Sequence, residues 1–216
     1  MAQPQSFEEV VVRTEGVELP GLLAVPDEAV GIVIFAHGSG SSRLSSRNQA
    51  VARWLLERNC ATLLFDLLTP DEAADRQNVF DIPLLGKRVV ATTQWWRQQP
   101  RAAGLPVGCF GASTGAGAAL VAAAELGDEI AAVVSRGGRP DLAIPVLPQV
   151  VAPTLLIVGS RDHPVLDLNR RAQQHLTCQT HLAVVDGATH LFEEPGTLEK
   201  AADHAGDWFV THFTAA

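Results

Sequence analysis

The sequence has no stretch of 18 uncharged apolar residues, and its opening, MAQPQSFEEV, lacks both a basic start and an apolar core. Neither a membrane span nor a secretory leader is expected from that pattern. Positive charge is in short supply, with 16 Lys and Arg against 24 Asp and Glu and a formal net charge of −8. That is the wrong sign for holding a phosphate backbone, so nucleic acid is not an expected partner. The phosphate-cradling pattern G-x-x-x-x-G-K-S/T is missing too. Cysteine is sparse, and the three present, Cys60, Cys109 and Cys178, cannot all pair. Cys60 and Cys109 fall at or inside apolar runs, which predicts buried free thiols and a reducing, cytoplasmic setting. No internal repeat, low-complexity tract or long linker interrupts the chain, so one domain over residues 1–216 is expected, long enough to bury its own core.

What is present is an alternation of two periods. Phe7 to Arg13 and Val17 to Val25 are β-rich and separated by Thr14-Glu15-Gly16, which predicts an antiparallel hairpin. Six short apolar runs follow: Val30 to Ala36, Ala61 to Asp66, Pro106 to Phe110, Ile130 to Val134, Thr154 to Val158 and His181 to Val185. Runs this continuous suit strands of a parallel sheet covered on both faces. Helical spacing lies between and after them, over Arg47 to Arg58, Lys87 to Gln98, and at Leu198, Ala201, Ala202, Ala205, Trp208 and Phe209. Leu67 to Pro83 fits neither period and is either a short loop over a site or the polar approach to a helix. The fold class predicted is α/β: a mostly parallel sheet of about eight strands, helices on both faces, and little or no cap.

Pro106 to Leu126 carries the most chemistry. A strand runs into Gly111-Ala112-Ser113-Thr114-Gly115 and then into an alanine-rich helix, which is the strand, G-x-S-x-G, helix order of a nucleophile elbow. The turn is tight enough to strain the serine, and glycine on either side removes collisions with the neighbouring strand and helix. The helix aims its amino-terminal dipole at the reacting centre, which favours a developing anion.

A serine hydroxyl is a weak nucleophile near neutral pH and needs an imidazole, itself oriented by a carboxylate. In open parallel sheets reactive groups gather beyond the carboxyl ends of strands, and such elbows follow the order Ser, acid, His. Asp162 follows the run Thr154 to Val158, and His190 follows the run ending at Val185. Ser113, Asp162 and His190 are therefore the candidate catalytic residues. Asp186, four residues before His190, is the alternative acid. His163 adjoins Asp162 but fits the order poorly, and His175, His181, His204 and His212 fall within predicted helices or strands. The oxyanion of a tetrahedral intermediate needs two backbone donors. One is expected at Thr114, and the other in the loop His37-Gly38-Ser39-Gly40, with Ser39 the first choice and Gly40 the second. His37, Arg43, Arg47, Arg136 and Arg139 are candidate substrate-binding residues, because guanidinium groups beside a site suit a bidentate hold on a carboxylate.

FAHGSG, LLFDLL, GCFGASTG, LLIVGSRD and GATHLF stand in this order along nearly the whole chain. In that set the sequence resembles the dienelactone hydrolase-like branch of the α/β-hydrolases, which are serine or cysteine hydrolases. Dienelactone hydrolase itself carries cysteine at the elbow, where this chain has Ser113, a difference that favours a general carboxylesterase. The resemblance implies an acyl-enzyme mechanism on a small ester or lactone-like substrate, without metal or organic cofactor, in a monomer or small homo-oligomer. Two other functions use the same residues or the same fold: acyl transfer to an alcohol or amine, and a catalytically silent scaffold that binds a ligand.

Overall fold

The computed structural model describes residues 6–14 and 16–215; Glu15, in the predicted hairpin turn, lies outside them. Among these residues eight strands form one sheet: β1 (Glu8–Thr14), β2 (Val17–Ala24), β3 (Gly31–Ala36), β4 (Cys60–Phe65), β5 (Val107–Ala112), β6 (Ile130–Arg136), β7 (Thr154–Gly159) and β8 (Thr180–Val185). Their spatial order is β1-β2-β4-β3-β5-β6-β7-β8. β1 pairs antiparallel with β2, and β2 with β4. From β4 onward every neighbouring pair is parallel. The expected strands are all present, with ends moved by a residue or two.

Among the described residues seven α-helices accompany the strands: α1 (Ser46–Leu56), α2 (Pro70–Ala74), α3 (Arg76–Val79), α4 (Ile82–Arg97), α5 (Thr114–Leu126), α6 (His163–Gln173) and α7 (Thr197–Phe213). Side chains alternate across a strand, so β3 feeds two cores. Ile32, Ile34 and Ala36 join Val89, Trp96 and Leu120 beneath α4 and α5. Val33 and Phe35 join Phe110, Leu55 and Phe209 beneath α1 and α7. Both faces being covered, the strands can be apolar throughout, and β3, β4, β5 and β7 are buried at every position. Phe35 and Phe110 sit in register with ring centroids 4.7 Å apart. Each buried phenylalanine contributes on the order of 2 kcal/mol of transfer free energy.

The irregular stretch after β4 resolves into two short helices. Thr69 and Glu72 form a reciprocal capping box at the start of α2. Helix α4 begins at Ile82, five residues before the start read from the apolar spacing. Asp81 caps it by accepting from the Leu84 N–H at 3.0 Å, and Pro83 sits in the first turn, where its missing N–H costs nothing. His175, expected inside an element, stands in the turn just past α6. Cys60 and Cys109 are buried, as their apolar runs predict, while Cys178, which precedes the edge strand β8, is half-buried. No helix among the described residues is long and apolar enough to cross a membrane.

Candidate active site

The parallel strands bring the carboxyl ends of β3, β5, β6, β7 and β8 to one edge of the sheet, and every candidate of the proposed triad is carried there. Ser113 joins β5 to α5 with φ 52° and ψ −124°, a left-handed conformation that a non-glycine residue adopts only when its surroundings impose it. They do so from both sides. The Ser113 N–H donates to the Arg136 carbonyl at 3.3 Å, and the Ser113 carbonyl accepts from the Arg139 N–H at 2.9 Å. A Cβ on Gly111 would lie 2.3 Å from the Ala116 Cα, and one on Gly115 would lie 2.1 Å from the Ala36 carbonyl oxygen. Glycine is therefore required at both positions for strand, turn and helix to come this close.

His190 and Asp162 meet although 28 residues separate them. Nδ1 of His190 is 2.7 Å from Oδ2 of Asp162. The carboxylate side chain is 11% exposed and the imidazole 40%, so the pair runs from the protein interior to the rim of the site. Asp162 stands at the amino-terminal cap position of α6 yet caps nothing, its carboxylate being turned to the histidine. The loop bearing His190 is pinned to its neighbours. Ala188 accepts from the Arg161 N–H at 2.9 Å, and the Glu194 carboxylate accepts from the Thr189 N–H at 3.0 Å. That backbone bond to Thr189 holds the Glu194 carboxyl below its usual range. The alternative acid, Asp186, faces away, with Oδ1 3.4 Å from the Ser160 hydroxyl. Ser113 and His190 line one cavity of about 250 Å³. Among the described residues, the serine hydroxyl makes no hydrogen bond; catalytic contacts of this kind commonly close only on the bound substrate.

The oxyanion region departs from expectation. The Thr114 amide begins α5, where helix geometry leaves it without an intrahelical acceptor. The Ser39 N–H, the first choice for the second donor, instead donates to Thr114 Oγ1 at 2.8 Å. That bond ties the loop after β3 to the first residue of α5, and Gly40, at φ 71°, is left as the loop's candidate donor. His37 lines the neighbouring cavity, but both of its nitrogens are engaged by backbone: Nδ1 with the Gly38 carbonyl at 2.9 Å and Nε2 accepting from the Leu67 N–H at 3.1 Å. Burial lowers its pKa, against opposing effects from that carbonyl and Asp66, so the ring is neutral and serves as a pin rather than a ligand.

The four arginines divide. Arg43 donates both its backbone N–H (2.7 Å) and its guanidinium (2.5 Å) to Asp66, and Arg139 is held by both oxygens of Asp141 at 2.8 Å. Asp141 occupies the fork of Arg139, while Arg43 is tied to Asp66 through one guanidinium nitrogen and its backbone N–H, so the charge of each is already matched by a carboxylate of the chain. Arg47 and Arg136 line the same cavity as Ser113 and His190. A second cavity of about 340 Å³ lies on the other side of the Gly38–Ser41 loop, walled by Leu67, Leu68, Pro70, Ala73, Val79 and Leu85. Among the described residues, no cluster of three or more His, Cys, Asp or Glu is placed to hold a metal ion.

The sequence profile described as "Dienelactone hydrolase family" matches residues 19–214. The chain belongs to the dienelactone hydrolase family. It is 50% identical to a dienelactone hydrolase from Anabaena variabilis, whose crystal structure superposes with a TM-score of 0.94 over 97% of this chain and 99% of that one. Est1E from Butyrivibrio proteoclasticus superposes at 0.81 over 96% and 99% of the two chains with 16% identity, a likeness of fold. The fold is that of the α/β-hydrolases. A protein of Mycobacterium tuberculosis bearing the name "Putative phosphoribosyl transferase" is 60% identical over 209 residues, which are 97% of this chain and 47% of that protein. The chain thus spans about half the length of the curated relatives it matches.

Two groups around this family member's site escaped the sequence reading. Asn48 is buried on α1 and accepts from Arg136 Nη2 at 3.2 Å. Its signal was present, since residues 48, 51, 52 and 55 share one helical face and Asn48 is the polar member of a buried stripe. The Thr114 hydroxyl left no such signal, its role depending on a loop 75 residues away.

Proposed function

We propose that the chain is a serine esterase that cleaves a small carboxylic ester or lactone-like substrate through an acyl-enzyme. The reading rests above all on the 2.7 Å contact of His190 with Asp162, at the cavity that also holds the strained Ser113. Oγ of Ser113 adds to the acyl carbon while its proton passes to His190, and the Asp162 carboxylate stabilises the imidazolium. The carbonyl oxygen, now negative, is received by the amides of Thr114 and Gly40; one such donor is worth about 3 kcal/mol of barrier. The bond from the acyl carbon to the leaving oxygen then breaks, and that oxygen takes the proton from His190. Water next adds to the acyl carbon, gives a proton to His190, and releases the acid as the serine recovers its own proton.

The imidazole stands 40% exposed at the rim, so water reaches it, which favours hydrolysis over transfer to an alcohol or amine. The transferase in the mycobacterial relative's name is not proposed for this chain. That protein is about twice as long, and the groups gathered here supply a nucleophile, a base and amides for an oxyanion rather than a phosphate cradle. The test is turnover of p-nitrophenyl acetate by the wild type and by Ser113→Ala. We expect release of p-nitrophenol that falls to the uncatalysed level in the variant. Equal turnover by both proteins would refute the assignment, and ligand binding without turnover in either would leave a silent scaffold.

A further inference from the structure

Asn169 is fully buried on α6 and takes no part in the catalytic steps above. It is the polar member of the helix's inner face, beside Val165, Leu166 and Ala172. Its side-chain nitrogen, Nδ2, donates twice: to the Val165 carbonyl one turn back at 2.8 Å, and to the Gly138 carbonyl at 2.9 Å. The amide oxygen is buried with no partner among the described residues. An unmet buried acceptor costs stability, a cost that a leucine of similar volume would not carry. What the buried amide gains is its hold on Gly138. That glycine lies between Arg136 and Arg139, whose backbones clamp Ser113 from both sides. A Cβ on Gly138 would lie 2.5 Å from the Ala116 Cβ, so the segment is pressed onto the start of α5. A Cβ on Gly137 would lie 3.1 Å from the His190 carbonyl oxygen. The segment thus meets both Ser113 and His190, and Asn169 ties it to the helix that Asp162 begins, two turns earlier.

A trans peptide group is planar, with its C=O and N–H pointing opposite ways, so fixing one end orients the other. The Gly138 carbonyl and the Arg139 N–H belong to one such group, and that N–H donates to the Ser113 carbonyl at 2.9 Å. The Ser113 carbonyl and the Thr114 N–H belong to the next. Hydrogen bonds therefore run from Asn169 through two peptide groups and end at the Thr114 N–H; the Ala116 N–H adds a second bond to the Ser113 carbonyl at 3.1 Å. Bonds linked in this way polarise one another, and each strengthens the donor beyond it. Resting on the esterase reading above, we infer that Asn169 is a positioning residue for the oxyanion: it heads this chain, and so orients and polarises the Thr114 amide that receives the negative oxygen. The helix that presents the acid to His190 then also steadies the oxyanion donor. An amide of this kind acts most strongly on the charge that develops in the transition state, so its support is felt in kcat and little in KM.

The test is turnover of p-nitrophenyl acetate by Asn169→Leu, which removes the first donor at nearly constant volume, and by Asn169→Asp, which keeps the shape. Asn169→Leu should lose about tenfold in kcat with KM little changed, a smaller loss than the roughly 10²–10³-fold that follows removal of a whole oxyanion donor. In Asn169→Asp the carboxyl can donate to the Gly138 carbonyl only while protonated, and burial raises the pKa of such a group to as much as about 8–9. Its kcat, taken as a ratio to wild type at each pH, should be close to one near about pH 6 and fall toward that of Asn169→Leu by about pH 10, a profile that lost packing alone does not produce. Should Asn169→Leu fail to fold, that ratio decides alone. A wild-type kcat in folded Asn169→Leu, a loss carried by KM alone, or a level Asn169→Asp ratio overturns the inference. Deuterium exchange of the Arg139 amide, followed by NMR, should quicken in Asn169→Leu, and unchanged exchange overturns the chain of bonds. A wild type that releases no p-nitrophenol would sink the esterase reading instead, while the exchange rates still report whether Asn169 holds the chain.

Discussion

Replacing Gly115 by alanine puts a methyl group where the structure has main chain. Its carbon would lie 2.1 Å from the Ala36 carbonyl oxygen and 2.5 Å from that of His37. Neither oxygen can rotate away, since both belong to the backbone where β3 leaves the sheet. Relief requires the start of α5 or the end of β3 to move on the order of 1 Å, a displacement that can cost about 10²-fold in rate when it shifts catalytic groups. The same two segments carry the Thr114 amide and the loop to Gly40, so the two proposed oxyanion donors are what separates. Overpacking adds about 1–3 kcal/mol of lost stability. Gly127→Ala is the matched control, at the far end of the same helix: its φ of 56° and ψ of −126° strain the new residue by about 1–3 kcal/mol, but nothing lies within 4 Å of the added carbon. Measured on p-nitrophenyl acetate, with urea unfolding of the same samples, Gly115→Ala should lose about 10²-fold in kcat while Gly127→Ala loses stability alone. A Gly115→Ala protein with wild-type kcat and wild-type stability would mean the elbow has slack, and would refute the close-approach argument.

Asp162→Asn keeps the shape of the His190 partner but removes the charge and favours the wrong tautomer, so kcat should drop by about 10³–10⁴ with unfolding little changed; a loss under tenfold would leave Asp162 without its orienting role. Burial pushes the thiols of Cys60 and Cys109 up to about 12, so in folded protein near pH 8 iodoacetamide should label the half-buried Cys178 well before either of them. Labelling of Cys60 or Cys109 before denaturation would contradict this. Burial holds the His37 pKa below its ordinary value of 6.5, so the unfolded chain takes up a proton there first. The stability it contributes is complete above about pH 6.5 and lost as pH falls through the folded value; the half-buried His212, whose pKa desolvation also lowers, acts in the same sense. Urea midpoints should fall between about pH 7.5 and 5.5, less steeply in His37→Gln, and an identical slope in that variant would count against the pinned neutral ring.

Much of the fold was legible because the sheet is covered on both faces. Runs such as VIFA and TLLIV mark buried strands without alternation, and their order alone brings residues 113, 162 and 190 to one edge. Local capping was harder to see: Asp81 and Pro83 lengthen α4 beyond its apolar spacing, and Thr69 with Glu72 builds α2 where the period fails. Side-chain occupancy was not legible at all. His37, Ser39, Arg43 and Arg139 stand where expected, but each is engaged by a partner supplied through tertiary folding or a side-chain fork. Arg136 looked like any arginine after a strand until its burial between two phenylalanines set it apart.

Covalent capture of the nucleophile is the most direct test of the esterase account. Folded wild-type protein treated with a fluorophosphonate, then digested and analysed by mass spectrometry, should carry the adduct on Ser113. Denaturation in urea beforehand should abolish labelling, and His190→Ala should slow it by about 10²-fold or more, the share of a positioned base. An unmodified Ser113 in folded, soluble protein, or an adduct forming equally fast without His190, would contradict the claim that these groups act as one site.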